Sequence, residues 1–295
     1  VRTGTAAQLR TSFGALLRDY RRRVLTVPYP GGALKFGART LVMGILNVTP
    51  DSFSDGGLHF DPARAIEAGL AMEEADILDV GGESTRPGAE SVSAEEEIRR
   101  VEPVVRGLAA RGKLVSIDTT KPAVARSAFE AGARMLNDVS ALADPDLGRE
   151  AARAKVPVIL MHMKGTPRNM QERPDYGDVV AEIADFFRER LDRALSLGIS
   201  RVRILLDPGI GFGKRPEHNL EILRRLEEFR SLGRPVVVGT SRKSFIGHVL
   251  GRPVEARRDG TSATVAAAVL RGADLVRVHD VREMADAARM ADRMK

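Results

Sequence analysis

The sequence contains no cysteine, so disulfides, cysteine-ligated zinc and thiol nucleophiles are all excluded. No apolar run approaches the ~20 residues that cross a bilayer as a helix, and the five histidines show no zinc-site spacing. There is no internal repeat and no low-complexity linker. The opening segment looks amphipathic but lacks the charged start, continuous apolar stretch and small-residue cleavage site of a secretory signal. Its Arg and Ser/Thr content with few acids also fits an organelle transit peptide. A cytoplasmic protein without membrane attachment is the expectation.

Hydrophobic residues make up 43% and charged residues 29% of the chain, which argues against wholesale disorder. The formal net charge of +6 comes mostly from Arg. It fits a basic surface, an anionic small substrate or nucleic acid. Lys and Arg alternate with Glu along the helical stretches instead of massing in blocks, and no recognition motif is present, so no nucleic-acid partner is expected.

From residue 41 onward, eight short β-branched or apolar runs alternate with helical patterns, the signature of a parallel sheet with crossover helices. The predicted strands are 41–47, 77–81, 113–118, 134–138, 156–162, 202–207, 235–240 and 274–279. The predicted helices are 62–75, 94–111, 121–131, 146–154, 178–197, 216–230, 261–271 and 281–293, with a shorter one at 243–250. An open doubly wound sheet usually carries a phosphate loop after its first strand, and none follows residue 47. The pattern therefore predicts an α/β fold of the (β/α)8 TIM-barrel type, formed as one domain over residues 23–295. Residues 23–37 read as an N-terminal β-hairpin turning at Pro30-Gly31-Gly32 and closing the barrel's bottom, with residues 1–22 as an added arm.

Catalytic groups in such barrels project from the C-terminal strand ends. Here the strands finish in Asn47, Glu83, Asp118, Asn137 with Asp138, His162, Asp207, Ser241 with Arg242 and Lys243, and Arg277 with His279. Asp118 and Asp207 would be desolvated in a barrel mouth, a cost that ligand N–H donors offset; each is also readable as a loop cap. Asn137 offers a donor and an acceptor suited to a heterocycle edge. The segment DPGIGFGK (207–214) fits neither the dinucleotide fingerprint nor a P-loop, because Arg215 stands where Ser or Thr is needed. It remains a loop for close backbone approach to a flat ligand, or a run of turn glycines. GTSRKS (239–244) together with Arg277 and His279 forms the corner where barrels often bind phosphate; a buried ion pair for Arg277 and a core histidine are the alternatives. The long polar loops 47–57 and 81–91 suggest a lid, and Mg²⁺ with Asn47 as the nearest ligand is the expected metal.

With these residues assembled, the chain resembles the dihydropteroate synthases of the pterin-binding enzyme family. The likeness runs in order through GILNVTPDSFSDGG (44–57), DVGGESTRPG (79–88), SIDT (116–119), NDVSA (137–141), MHMKGTPRNMQ (161–171), DPGIGFGK (207–214), GTSRKSFI (239–246) and RVHDV (277–281). The resemblance implies condensation of a dihydropterin pyrophosphate with para-aminobenzoate, assisted by Mg²⁺, in a homodimeric enzyme of folate biosynthesis and a sulfonamide target. It assigns the pterin to Asp118, Asn137, Met161, Asp207, Gly211 and Lys243. It assigns the pyrophosphate to Thr85, Asn47, Ser241, Arg277 and His279, with Asn47 acting through Mg²⁺. Phe212, Lys243 and Ser244 lie toward the arylamine, and Arg86, Asp51, Phe53 and Ser54 complete that pocket on closure. Asp118, Lys243, Arg277, His279 and Arg86 are the catalytic set it implies. A corrinoid-dependent methyltransferase of the same family, or a non-catalytic homologue, are the rival readings.

Overall fold

The computed structural model describes residues 24–49, 61–84, 92–166, 170 and 174–295. The predicted arm 1–22 lies outside the described residues, as do Asp51, Phe53, Ser54, Thr85 and Arg86.

Ten strands and nine α-helices follow one another among the described residues. Strands β1 (Leu25–Tyr29) and β2 (Gly32–Phe36) form the expected antiparallel hairpin. Tyr29 pairs directly with Gly32, so the turn is the two residues Pro30 and Gly31, and Gly32 belongs to the second strand. The barrel strands are β3 (Leu41–Asn47), β4 (Ile77–Gly81), β5 (Val115–Asp118), β6 (Met135–Asp138), β7 (Val158–Met161), β8 (Ile204–Asp207), β9 (Val237–Val238) and β10 (Leu275–Val278). All pair in parallel in the order β8-β7-β6-β5-β4-β3-β10-β9. A further parallel bridge from Leu206 to Val236 joins the two ends and closes the ring.

Side chains alternate between the two faces of a strand, and two apolar clusters record that alternation. Val42, Leu46, Val80, Ile117, Leu160, Leu206, Val238 and Val276 face outward into the cluster shared with the helices. Leu41, Met43, Ile77, Met135, Ile159, Leu205, Val237 and Leu275 face inward and pack with Leu25, Val27, Leu34 and Phe36 of the hairpin. The hairpin is thus the plug at the N-terminal end of the barrel. Two residues further along the same inner face, Ile77 gives way to Asp79, Met135 to Asn137, Leu205 to Asp207 and Leu275 to Arg277. On these four strands the inward positions turn from apolar to polar toward the C-terminal end, which gives the barrel an apolar floor and a polar mouth.

The helices α1 (Pro62–Ala71), α2 (Ala94–Ala109), α3 (Pro122–Ala131), α4 (Pro145–Ala154), α5 (Val179–Ser196), α6 (Pro216–Arg224), α7 (Ser244–Leu250), α8 (Arg258–Leu270) and α9 (Val281–Asp292) complete the ring. Their starts follow from sequence. Asp61, Ser93, Asp144 and Asp178 accept backbone N–H groups of the first turns, and proline occupies the first position of α1, α3, α4 and α6. The predicted helix 216–230 divides instead into α6 and a 3-10 segment, Leu226–Leu232. The buried residues of that segment, Leu226, Phe229 and Leu232, recur every three positions, the spacing that aligns side chains on a 3-10 helix. Strand β9 is shorter than its predicted span, two residues in place of six, because Pro235 lacks an N–H and the closing contact is a single bridge.

Candidate active site

The mouth is organised around a carboxylate that the sequence did not single out. Asp79 is fully buried. Its Oδ2 accepts Arg277 Nε at 2.7 Å and Asn137 Nδ2 at 2.9 Å. Arg277 Nη2 donates in turn to Asp118 Oδ2 at 2.7 Å. One guanidinium therefore spans the mouth from β10 to β4 and β5, and one carboxylate holds both a cation and an amide. The signal available in sequence was an acidic residue inside the otherwise apolar ILDVG, on the inward parity set by Ile77 and Gly81.

Burial dominates the charges here. It pushes the Asp118 carboxyl up to about 7, with Arg277 opposing the shift and Asp79 adding to it. Burial works against the charge of Arg277, but Asp79 and Asp118 outweigh it and its pKa rises. Burial also raises Asp207, against the Gly209 N–H that donates to its Oδ1 at 2.7 Å and the fields of Lys243, Arg277 and Lys214. Such a cluster stays folded because each charge has a counter-charge or a hydrogen-bond donor in place. Arg277 was expected as a cation facing an anion; its guanidinium is also engaged by two carboxylates, as a desolvated cation requires.

Beside this cluster, Ser241 Oγ accepts the His279 backbone N–H at 3.2 Å and lies 2.9 Å from His279 Nδ1. Between Ser241 and Lys243, Arg242 has a left-handed backbone, with φ of 57°. That conformation is held by three restraints: the Arg242 N–H donates to Thr261 Oγ1 at 3.0 Å, its carbonyl accepts from Arg257 at 3.1 Å, and its guanidinium pairs with Asp280 at 2.6 Å. Lys243 lies immediately before α7, with its Nζ 3.8 Å from the centre of the Phe212 ring. Ser244, the first residue of α7, is exposed. Met161 is buried at the end of β7, opposite Asp207 in register. The Gly211 N–H donates to Asn219 Oδ1 at 2.7 Å, fixing the glycine-rich loop against α6. Asn47 is half-buried at the end of β3, opposite Gly81.

Some polar strand ends serve the scaffold. Asp138 faces outward and accepts Ser140 and Leu142 N–H groups at 2.8 and 2.6 Å, which shapes the turn containing the left-handed residues Ala141 and Leu142. Glu83 and the buried Glu97 share Lys121. His162 lies under the next loop, 2.9 Å from Lys214 Nζ. Not all of the polar groups that end the strands therefore face the mouth. Successive residues of a strand face opposite sides, and the polar groups that miss the inner face are taken up by turns, ion pairs and loop contacts.

The sequence matches the pterin binding enzyme family over residues 43–279. The chain belongs to this family. Among curated relatives, the dihydropteroate synthase of Synechocystis sp. is 48% identical over 272 residues, covering 90% of this chain and 94% of the relative. A solved Yersinia pestis dihydropteroate synthase in a sulfonamide drug complex superposes with a TM-score of 0.87 at 43% identity, covering 92% of this chain and 99% of that one. The Xanthomonas albilineans dihydropteroate synthase solved with 4-aminobenzoic acid gives a TM-score of 0.85 at 46% identity, covering 92% and 98%. For a pterin-binding enzyme the mouth has a clear chemical logic. Two carboxylates, an amide and an apolar side chain, Asp118, Asp207, Asn137 and Met161, stand together on the neighbouring strands β5 to β8.

Proposed function

We propose that this chain is a transferase of folate biosynthesis, condensing 6-hydroxymethyl-7,8-dihydropterin pyrophosphate with para-aminobenzoate to give 7,8-dihydropteroate and pyrophosphate. The observation that carries this reading is the continuous network from Asn137 through Asp79 and Arg277 to Asp118, with the Ser241–His279 pair and Lys243 beside it.

The proposed division of labour follows from side-chain chemistry. Asp118, Asn137, Asp207 and Lys243 read the polar edge of the pterin, and Met161 supports its face. Ser241, His279 and Arg277 receive the diphosphate, placing donors where negative charge gathers as the C–O bond breaks. Positive charge at the methylene spreads into the pterin ring and is stabilised by the carboxylates around it. The arylamine attacks as a neutral nucleophile beside Phe212, Lys243 and Ser244, and the proton its nitrogen sheds as the C–N bond forms passes to the departing diphosphate or to water, so no strong base is required. Thr85 and Arg86 are assigned to the diphosphate and arylamine, and Asp51, Phe53 and Ser54 to closure of the pocket.

Mg²⁺ fits this donor chemistry as part of a diphosphate complex. Among the described residues no group of three His, Cys, Asp or Glu side chains gathers to cage a cation, whereas Asn47 stands at the rim with a hard amide oxygen. Magnesium is usually held by few protein ligands and by substrate phosphates. When bound, it would neutralise charge on the departing diphosphate.

A homodimer is proposed on the exposed apolar side chains of the last third of the chain, Val249, Leu250, Val254 and Leu270, which lie on and around α7 and α8; sedimentation at micromolar concentration tests it. Among the described residues no helix is long and apolar enough to cross a membrane. The function itself is tested by pyrophosphate release on mixing both substrates with Mg²⁺. Dihydropteroate formation with stoichiometric release should require both substrates; no release, or release that yields no dihydropteroate when both are present, contradicts the proposal.

A further inference from the structure

Behind the mouth lies a buried cation that the reaction as described does not use. Lys214 is 3% exposed. Its Nζ lies 2.9 Å from the Gly209 carbonyl, 2.9 Å from the Phe212 carbonyl, 2.9 Å from His162 Nδ1 and 3.3 Å from the His162 carbonyl. These acceptors come from the loop after β7 and the loop after β8, and none is a carboxylate. Among the described residues Lys214 has no ion pair, and Asp207 offsets its burial only through its field; a charge so placed is costly to bury. Its geometry points to a different use.

The two loops are packed backbone on backbone. A Cβ built on Gly209 would lie 1.9 Å from the His162 carbonyl oxygen, and one on Gly213 would lie 2.3 Å from that of Lys164. Tyr176 donates its hydroxyl to the Gly213 carbonyl at 2.8 Å, and the His162 ring meets Phe186 edge-on, with centroids 4.9 Å apart. The turn fixed in this way bears on two mouth groups, Asp207 and Phe212, and is itself held to α6. The Gly209 N–H donates to Asp207, the Gly211 N–H donates to Asn219, and the Phe212 ring lies against Lys243.

We propose that Lys214 is a positioning residue: its buried Nζ, seated against His162, turns the Gly209 and Phe212 carbonyls inward and so sets Phe212 and Asp207 in the mouth. The inference rests on the reading of Phe212 and Asp207 as arylamine- and pterin-facing groups. The clamp does not depend on the charge of Lys214. As an ammonium it donates to both carbonyls and to Nδ1. As an amine it still donates to both carbonyls and accepts from a protonated Nδ1. Burial lowers Lys214 to about 7, and this exchange of roles keeps the turn closed across that range.

The test compares Lys214→Met, which keeps length and removes the donors, with His162→Phe, which keeps a ring against Phe186 and removes only the nitrogens. Both are read by melting temperature, by amide exchange at residues 209–213, and by kcat and KM for each substrate. Lys214→Met should speed exchange in the turn and raise KM for para-aminobenzoate by about tenfold or more at equal folded fraction, with His162→Phe intermediate. Unchanged exchange and unchanged KM, or a lower melting temperature as the sole effect, overturns the proposal. If Lys214→Met does not fold, His162→Phe decides by the same readouts. If the unmodified chain releases no pyrophosphate, the enzymatic reading fails, while the exchange measurement still decides whether Lys214 holds the turn.

Discussion

Arg277 Nη2 donates to Asp118 Oδ2 at 2.7 Å although 159 residues separate them in the chain. The contact crosses the mouth of the barrel, and it binds the group assigned to the leaving diphosphate to one assigned to the heterocycle. Under the proposed assignment, substrate edge and leaving group would share one electrostatic unit.

Removing the guanidinium should show this coupling. Arg277→Ala is expected to lower kcat by about 10²–10³-fold, the range seen when one preorganised charge-stabilising group is lost. Far-UV circular dichroism should retain the barrel signature at 25 °C. Near-normal turnover would remove Arg277 from the mechanism.

Asp79 touches no substrate in this account and should behave differently. In Asp79→Asn the acceptor for Arg277 Nε loses its charge while the side chain keeps its shape. Leaving a buried cation less well paired costs about 1–3 kcal/mol. The expected result is a lower melting temperature together with a KM for the pterin substrate raised by about tenfold, because Asn137 and Arg277 are both displaced. Stability lost without any change in KM would make Asp79 purely a scaffold residue.

The pH dependence follows from Asp118, whose carboxyl is pushed up to about 7 by burial. Below the unfolded carboxylate value both states hold the proton, and its contribution to stability is fully present. Between that value and about 7 the unfolded chain releases the proton before the folded one, so stability declines as pH rises through this window. Melting temperature should fall from pH 5 to pH 8 more steeply in the wild type than in Asp118→Asn. If the ionised form is the one that stabilises the cation, kcat/KM for the pterin substrate has an acidic limb near 7 that Asp118→Asn abolishes. A limb that survives the substitution assigns it to another group.

The hairpin plug separates fold from chemistry. Phe36 is 1% exposed and packs into the barrel floor. Phe36→Ala should cost about 3–5 kcal/mol of stability and leave both KM values unchanged for the folded fraction, as measured by urea unfolding and steady-state kinetics. An altered KM would mean that the floor communicates with the mouth.

Strand periodicity made the barrel legible, because apolar runs of alternating parity had to bury both faces. Polar residues at the strand ends made much of the mouth legible, since Asp118, Asn137, Asp207 and Arg277 share the inward parity. Two kinds of information were hidden. Asp79 sits before its strand ends and reads as an interruption until pairing places it beside Arg277 and Asn137. Lys214 reads as a failed phosphate loop, and its contacts with Gly209 and Phe212 depend on a turn that periodicity does not describe. The break at Arg225 was hidden for a similar reason: a three-residue repeat of Leu226, Phe229 and Leu232 resembles a helical stripe until its pitch is known.

The convergence of these strand ends on one ligand is tested most directly by a crystal structure with 6-hydroxymethyl-7,8-dihydropterin pyrophosphate and Mg²⁺. The account predicts the heterocycle's polar edge against Asp118, Asn137 and Asp207, and the diphosphate against Ser241, His279 and Arg277. A pterin bound away from Asp118 and Asp207, or a diphosphate directed away from Ser241 and His279, would contradict it.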